Sequence, residues 1–465
     1  MSAPTAKAVD TRGQRPYSRR VGGAVRRLWF PVALLAVVAV AFVALGPLSS
    51  PTAGQRLAAL APPGSGGGAY AVSAEASATE KEIAERYETV RRFPDTIGAY
   101  VLLGNAYLQN VRETGDPSDY SRAEASFDEA LRRAPYDVDA LIGKGVLALA
   151  RHDFAAALTL GERAVALSPR TARAHGVVVD ALTELGRYDV AVASTQRMVD
   201  LRPDLASLSR VSYQRELRGD VAGAIEAMSR ALEASAGTSI ENREYIRVLI
   251  GDLHLLKGDV AAAEQIYRTS LDASPDFMWA LAGLGRVHAA RGDLVEAVGS
   301  YEQAVASLPL PEFLVALGDA QAAAGLDVEA GRSHELVDAV QALFAENGVN
   351  VDLELALFEA NHGDPSTAVE LASRAYATQP NVKAADVLGW ALHRAGRSAE
   401  ASAYADEALR LGTPYAQFRY HAGMIALALG DPTGGRQNLE RALASATLSP
   451  LDRTAAADAL GQLGE

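Results

Sequence analysis

Residues 283–309 read GLGRVHAARGDLVEAVGSYEQAVASLP. The stretch opens on Leu284-Gly285, turns at Gly292, carries Leu294, Ala297, Tyr301 and Ala304 on one helical face, and stops at Pro309. These marks predict a helix, a tight turn and a second helix. Gly292 ends the first helix, and Pro309 keeps the second from running on.

The same marks recur outward in both directions. A small residue in one helical context stands at Gly104, Gly145, Val179, Ser212, Gly251, Gly285, Gly318, Ala356, Gly389 and Gly423. The intervals are 41, 34, 33, 39, 34, 33, 38, 33 and 34 residues, so a unit of about 34 residues repeats, as in a helical solenoid. Turn glycines follow at Gly186, Gly219, Gly258, Gly292, Gly325, Gly363, Gly396 and Gly430, and an alanine comes five residues after most of them, as at Ala297. The longer intervals place insertions at 109–118 and 236–242, both expected to be lengthened turns, and at 338–348, expected to extend a helix. A turn can grow without disturbing the stacking of its neighbours.

The pattern strongly resembles the tetratricopeptide repeat family, over about ten units from Thr96 to Leu448. Residues 283–309 carry the resemblance best, and Leu103-Gly104, Tyr107, Ala123, Phe127, Ala130 and Pro135 repeat it. It implies an all-α fold, a right-handed superhelical α-solenoid of helix hairpins. Small residues such as Gly104, Gly145, Gly251, Gly285, Gly318, Gly389 and Gly423 then let paired helices approach, while Phe127, Tyr267 and Tyr301 fill the gaps between units.

The resemblance also implies a concave groove, lined by the first helix of each unit, that binds a peptide or partner helix. Carried onto this sequence, the groove positions include Asp180, Glu184, Tyr213, Glu216, Asp252, Trp279, Arg286, Asp319, Asp386 and Trp390. The acidic stripe beside Tyr213 and Trp279 suggests a partner protein or peptide carrying Lys or Arg next to an apolar anchor. Asn105 stands alone with Val101 nearby, so the clamp of lysines, arginines and asparagines with which some members hold a terminal carboxylate is missing.

The remaining chain has a different character. Leu28 to Leu45 reads LWFPVALLAVVAVAFVAL without a charge, directly after Arg26-Arg27. A helix of that length rises roughly 27 Å, near the minimum for crossing a hydrocarbon core. Residues 1–27 carry a net charge of +6 within a chain of net charge −13, and the positive-inside rule keeps such a tail in the cytoplasm. The expected order is a basic tail (1–27), a transmembrane or signal helix (28–46) meeting the lipid bilayer through 28–45, a Pro/Gly/Ser-rich linker (47–78), a capping helix (79–95) and the repeat array (96–465). The array is expected outside the cytoplasmic membrane, on a single-pass anchor or secreted after signal cleavage.

Composition narrows the function. Among 465 residues, 49% are hydrophobic but only 6% aromatic, which suits closely stacked helices, and the absence of cysteine removes thiolate chemistry and Cys-ligated metals. The acidic balance argues against a nucleic-acid surface. His152, His175, His254, His288, His334, His362, His393 and His421 are scattered singly, HExxH is missing, and neither GxxxxGK[ST] nor GxGxxG stands in the context those motifs need. The chain is therefore expected to be a non-enzymatic binding scaffold, or a structural spacer without a groove ligand, with no metal or cofactor.

Overall fold

The computed structural model describes residues 53–62 and 76–463, which form helices and, among the described residues, no strand. A short helix α1 (Ala53–Ala59) and a longer α2 (Ala78–Arg92) come first. Five hairpins follow: α3 (Ile97–Thr114) with α4 (Asp119–Arg133), α5 (Val138–Ala150) with α6 (Phe154–Leu167), α7 (Ala172–Glu184) with α8 (Tyr188–Leu201), α9 (Leu205–Leu217) with α10 (Val221–Glu233), and α11 (Ile240–Lys257) with α12 (Val260–Ala273). Five more complete the array: α13 (Met278–Arg291) with α14 (Leu294–Ser307), α15 (Pro311–Ala323) with α16 (Asp327–Glu346), α17 (Asp352–His362) with α18 (Pro365–Thr378), α19 (Val382–Arg394) with α20 (Ser398–Leu409), and α21 (Ala416–Ala428) with α22 (Pro432–Leu443). A single helix α23 (Pro450–Gln462) ends the described chain.

Local chemistry sets these boundaries. Gly186, Gly219, Gly258, Gly292, Gly325, Gly396 and Gly430 take φ between 68° and 88°, a left-handed turn that favours glycine. The aspartate that often follows starts the next helix. Asp220, Asp259 and Asp431 each accept a hydrogen bond from the amide three residues on, at 2.9, 3.2 and 2.9 Å, which satisfies one free N–H of the first turn. In the second hairpin the turn residue is His152, at φ 58°.

Packing follows the small positions. A Cβ on Gly104 would lie 2.7 Å from the Phe127 ring, and one on Gly285 would lie 2.6 Å from Tyr301. Phe127 and Tyr267 also press on the next unit, at Gly143 and Gly283, so each ring is clasped between consecutive first helices. Both rings are fully buried, and Ala297 is buried where α14 meets α13.

Two insertions differ from the sequence expectation. Residues 109–114 continue α3 rather than lengthening its turn, and 240–242 begin α11, while α16 is extended as expected. Part of the 47–78 segment expected to be linker is helical and docked. Leu60 is buried, Tyr107 Oη donates to its carbonyl at 2.6 Å, and Arg122 Nε donates to that of Ala61 at 3.2 Å. The apolar run 28–45 lies outside the described residues. No helix among the described residues is long and apolar enough to cross a membrane.

The array closes on itself. Asn381 Nδ2 donates to the Glu184 carbonyl at 2.9 Å, and the Val382 amide donates to Tyr188 Oη at 2.9 Å. Thr413 Oγ1 donates to the Leu217 carbonyl at 2.7 Å, Tyr415 Oη to Glu216 at 2.8 Å, and His152 Nδ1 lies 2.8 Å from the Asn350 carbonyl. These partners are 194 to 199 residues apart, so the superhelix completes one turn in about six hairpins and its successive turns touch. Helix α23 then packs against α15, the first helix of the seventh hairpin.

Candidate functional site

Touching turns make the concave face a lumen. A cavity of about 1090 Å³ is walled mainly by α11, α13, α15, α16, α17 and the segment 446–450, with residues of α3, α4 and α5 closing one side. A second of about 450 Å³ adjoins it and shares Leu255, Arg286 and Thr447. On the larger cavity Tyr245 and Trp279 meet edge to face with ring centroids 5.6 Å apart, and the buried Phe313 backs Trp279 from the core at 5.0 Å. Beside this pair stand Glu312 and Glu354, which make no ion pair. Desolvation by the surrounding cavity wall, reinforced by Glu354 and opposed by its own backbone N–H and Arg286, pushes the Glu312 carboxyl above its ordinary value, although the residue stays exposed to the lumen.

Six of the expected groove residues line this space. Tyr213, Glu216 and Asp252 face the smaller cavity, Trp279 and Asp319 the larger, and Arg286 both. Asp180, Glu184, Asp386 and Trp390 line neither. The last two are core residues, 3% and 2% exposed. His421 Nδ1 lies 3.0 Å from Asp386, and Trp390 stacks on His421 at 4.1 Å while donating to Asn361 at 2.7 Å.

The acidic stripe expected to meet a basic partner is met by the chain itself. Asp180 takes a two-pronged contact from Arg210 at 2.5 and 2.8 Å. Asp252 accepts from Tyr267 Oη and Arg286 Nη2, each at 2.6 Å. Lys383, delivered by the turn-to-turn contact, sets its ammonium 5.2 Å over the Tyr213 ring and within the field of Glu184 and Glu216. Burial opposes its charge, but Glu184, Tyr415 and Glu216 outweigh that and hold its pKa above the usual lysine range. Burial pushes the Glu216 carboxyl up, and the Tyr415 hydroxyl and Lys383 pull against it.

Asp319 is met differently. Nε2 of His334 and of His362 lie 3.5 and 3.1 Å from its Oδ1. Burial pushes its carboxyl up, yet the two imidazoles more than offset this and hold it below the ordinary aspartate value.

Sequence reasoning missed Tyr245, Glu312, Glu354, Lys383 and the two imidazoles. Tyr245 and Glu312 were within reach, since they hold the register of Trp279 one unit earlier and one unit later. Lys383 was not, because its partners lie a full superhelical turn away.

The sequence matches the tetratricopeptide repeat family over residues 116–172, 147–206, 218–276, 248–310, 353–416 and 387–452, more than half of the chain. The chain belongs to the tetratricopeptide repeat family. Tetratricopeptide repeat proteins are generally non-catalytic scaffolds whose groove takes a protein or peptide partner.

Among curated proteins, this tetratricopeptide repeat chain is 26% identical over 346 residues to the cellulose synthase operon protein C of Xanthomonas axonopodis pv. citri, covering 74% of the chain and 19% of that protein. It is 27% identical over 177 residues to the cellulose synthase 1 operon protein C of Komagataeibacter xylinus, covering 38% of the chain and 11% of that protein. The chain thus spans under a fifth of the length of either relative. Among solved structures, the human IFIT1 dimer with m7Gppp-AAAA aligns at 15% identity and a TM-score of 0.46, covering 72% of this chain and 77% of that one. A tetratricopeptide repeat protein from Parabacteroides merdae aligns at 16% identity and a TM-score of 0.33, covering 56% and 99%.

Proposed function

We propose that this protein is a non-catalytic scaffold held on the exported side of the cytoplasmic membrane by residues 28–45, and that it binds a partner's segment within its lumen. The observation that carries the reading is the pair Tyr245 and Trp279, backed by Phe313, beside Glu312 and Glu354, two carboxylates that form no ion pair within the chain. Such a wall suits an apolar anchor flanked by Lys or Arg. Buried aromatics supply most of the affinity, and the carboxylates select charge and speed encounter. At about 1090 Å³ the cavity matches the upper end of ligand pockets, roughly 300–1,000 Å³. The charge of the basic tail 1–27 and the apolar run behind it support the topology.

The test joins partner and place. A labelling enzyme fused after Glu465 marks neighbours in intact cells, and the same terminus is probed with protease in cells whose outer layers admit it. The reading predicts an accessible terminus and a labelled partner that is lost when Trp279→Ala, Glu312→Gln and Glu354→Gln are combined. A protected terminus would overturn the topology, and a partner set unchanged by the triple variant would overturn the lumen site.

A further inference from the structure

Asp319, His334 and His362 come from three helices, α15, α16 and α17, and meet just behind the wall of the larger cavity, which Asp319 helps to line. Nε2 of His362 lies 3.1 Å and Nε2 of His334 3.5 Å from Oδ1 of Asp319. One ligand atom from each residue lies within 4.8 Å of the other two. Oδ1 and both Nε2 atoms are shut off from solvent, and none has a well-aligned hydrogen-bond partner. Buried polar atoms are seldom left so.

The rest of the chain shows how such groups are usually settled. Asp252 receives a tyrosine hydroxyl and an arginine, and Asp386 receives the hydrogen bond of His421 at 3.0 Å. At Asp319 neither arginine nor hydroxyl arrives. His334 holds the repeat position that carries the packing rings Phe127, Tyr267 and Tyr301 in other units, and it lies over Gly318 as those rings lie over their glycines. An imidazole there fills the gap and also turns a nitrogen toward the carboxylate. Phe358 packs against both rings, with centroids 5.7 Å from His334 and 5.2 Å from His362, and holds their planes.

The spacing fits a metal ion. Zinc bonded at about 2.0–2.2 Å in a tetrahedron sets neighbouring ligand atoms roughly 3.3 Å apart, between the two separations found here. Two imidazole nitrogens and one carboxylate oxygen form a donor set favoured by first-row divalent ions. Three protein ligands leave a position free, and Asp319, Phe358 and Asn361 all face the lumen. We propose that Asp319, His334 and His362 bind one divalent transition-metal ion, zinc in the first instance, through Oδ1 and the two Nε2 atoms, and so tie α15, α16 and α17 together. Among the described residues no other group of three His, Asp or Glu side chains converges in this way.

The experiment is a zinc titration of the full-length chain, stripped with chelator, against a chromophoric zinc indicator. The proposal predicts one tight ion per chain and a thermal midpoint that rises with zinc. Asp319→Asn and His362→Gln are each expected to weaken the site at least about tenfold and to abolish the zinc-dependent rise, while His254→Gln on α11 keeps both. Where a variant is too unstable to compare, cobalt(II) on the unmodified chain provides a second readout. A visible d–d spectrum of low coordination number, displaced by one equivalent of zinc, supports the site. Absence of tight zinc binding, or equal affinity in the unmodified chain and all three variants, would overturn it.

Discussion

Asp252 and Asp319 stand beside Gly251 and Gly318, two units apart in the same register of the repeat, yet their surroundings diverge. Around Asp252, the Tyr267 hydroxyl and the Arg286 guanidinium close the shell. Around Asp319, two imidazoles approach without a well-aligned hydrogen bond, and the buried atoms stay open. The scaffold supplies a carboxylate on the inner wall in both units. What the neighbouring ring and the next helix carry decides whether it becomes a structural tie or a ligand site.

Ring substitutions should break this comparison most sharply. Phe127→Ala removes a fully buried ring clasped between Gly104 and Gly143, and it is expected to cost about 3–5 kcal/mol by chemical denaturation. His334→Ala, at the equivalent position over Gly318, is expected to cost about 1–2 kcal/mol in metal-free protein, because it also removes an unsatisfied buried nitrogen.

The carboxylates themselves come next. Arg286→Met strips Asp252 of its cation and should cost about 1–2 kcal/mol. That is below the figure for a fully buried pair, since both side chains keep roughly a third of their surface exposed. Asp319→Asn in metal-free protein should shift stability by no more than about 0.5–1 kcal/mol, since no aligned hydrogen bond is lost. Equal costs at the two aspartates would erase the distinction.

The smallest effect concerns pH. Desolvation by the cavity wall raises the Glu312 carboxyl above its usual 4.5, so its contribution to stability is complete below that value and is lost as pH rises through the elevated one. Glu312→Gln should therefore gain thermal midpoint relative to the unmodified chain as pH rises above about 4.5. A difference that stays flat or narrows would show that Glu312 is not desolvated by the lumen.

The fold was legible because its determinants are local. Glycine at the turn, alanine five residues on, proline after the second helix and a small residue facing an aromatic ring each act within one unit or its neighbour, and they repeat. The inner wall was legible only in part. Trp279 and Asp319 could be placed by register, and by the same logic Tyr245 and Glu312 follow from Trp279. The partners of the acidic stripe could not, because the number of hairpins per superhelical turn accumulates from small rotations that no residue pattern states. Lys383 reaches Glu184 and Glu216 only because nearly 200 residues of solenoid bring it there. The insertion at 109–114 misled for another reason. QNVRET contains neither glycine nor proline, so nothing in it stops α3 before Gly115, where φ turns positive.

In this protein the lumen, rather than the outer surface, is proposed to receive the partner. Tyr245 lines the lumen, while Tyr136 is 76% exposed in a connection between hairpins. Replacing each in turn by the photoreactive p-benzoylphenylalanine and irradiating intact cells compares the two places with side chains of similar size. The account predicts a discrete crosslinked partner from position 245 that Glu312→Gln with Glu354→Gln diminishes, and none from position 136. A partner crosslinked from position 136 and absent from position 245 would contradict it.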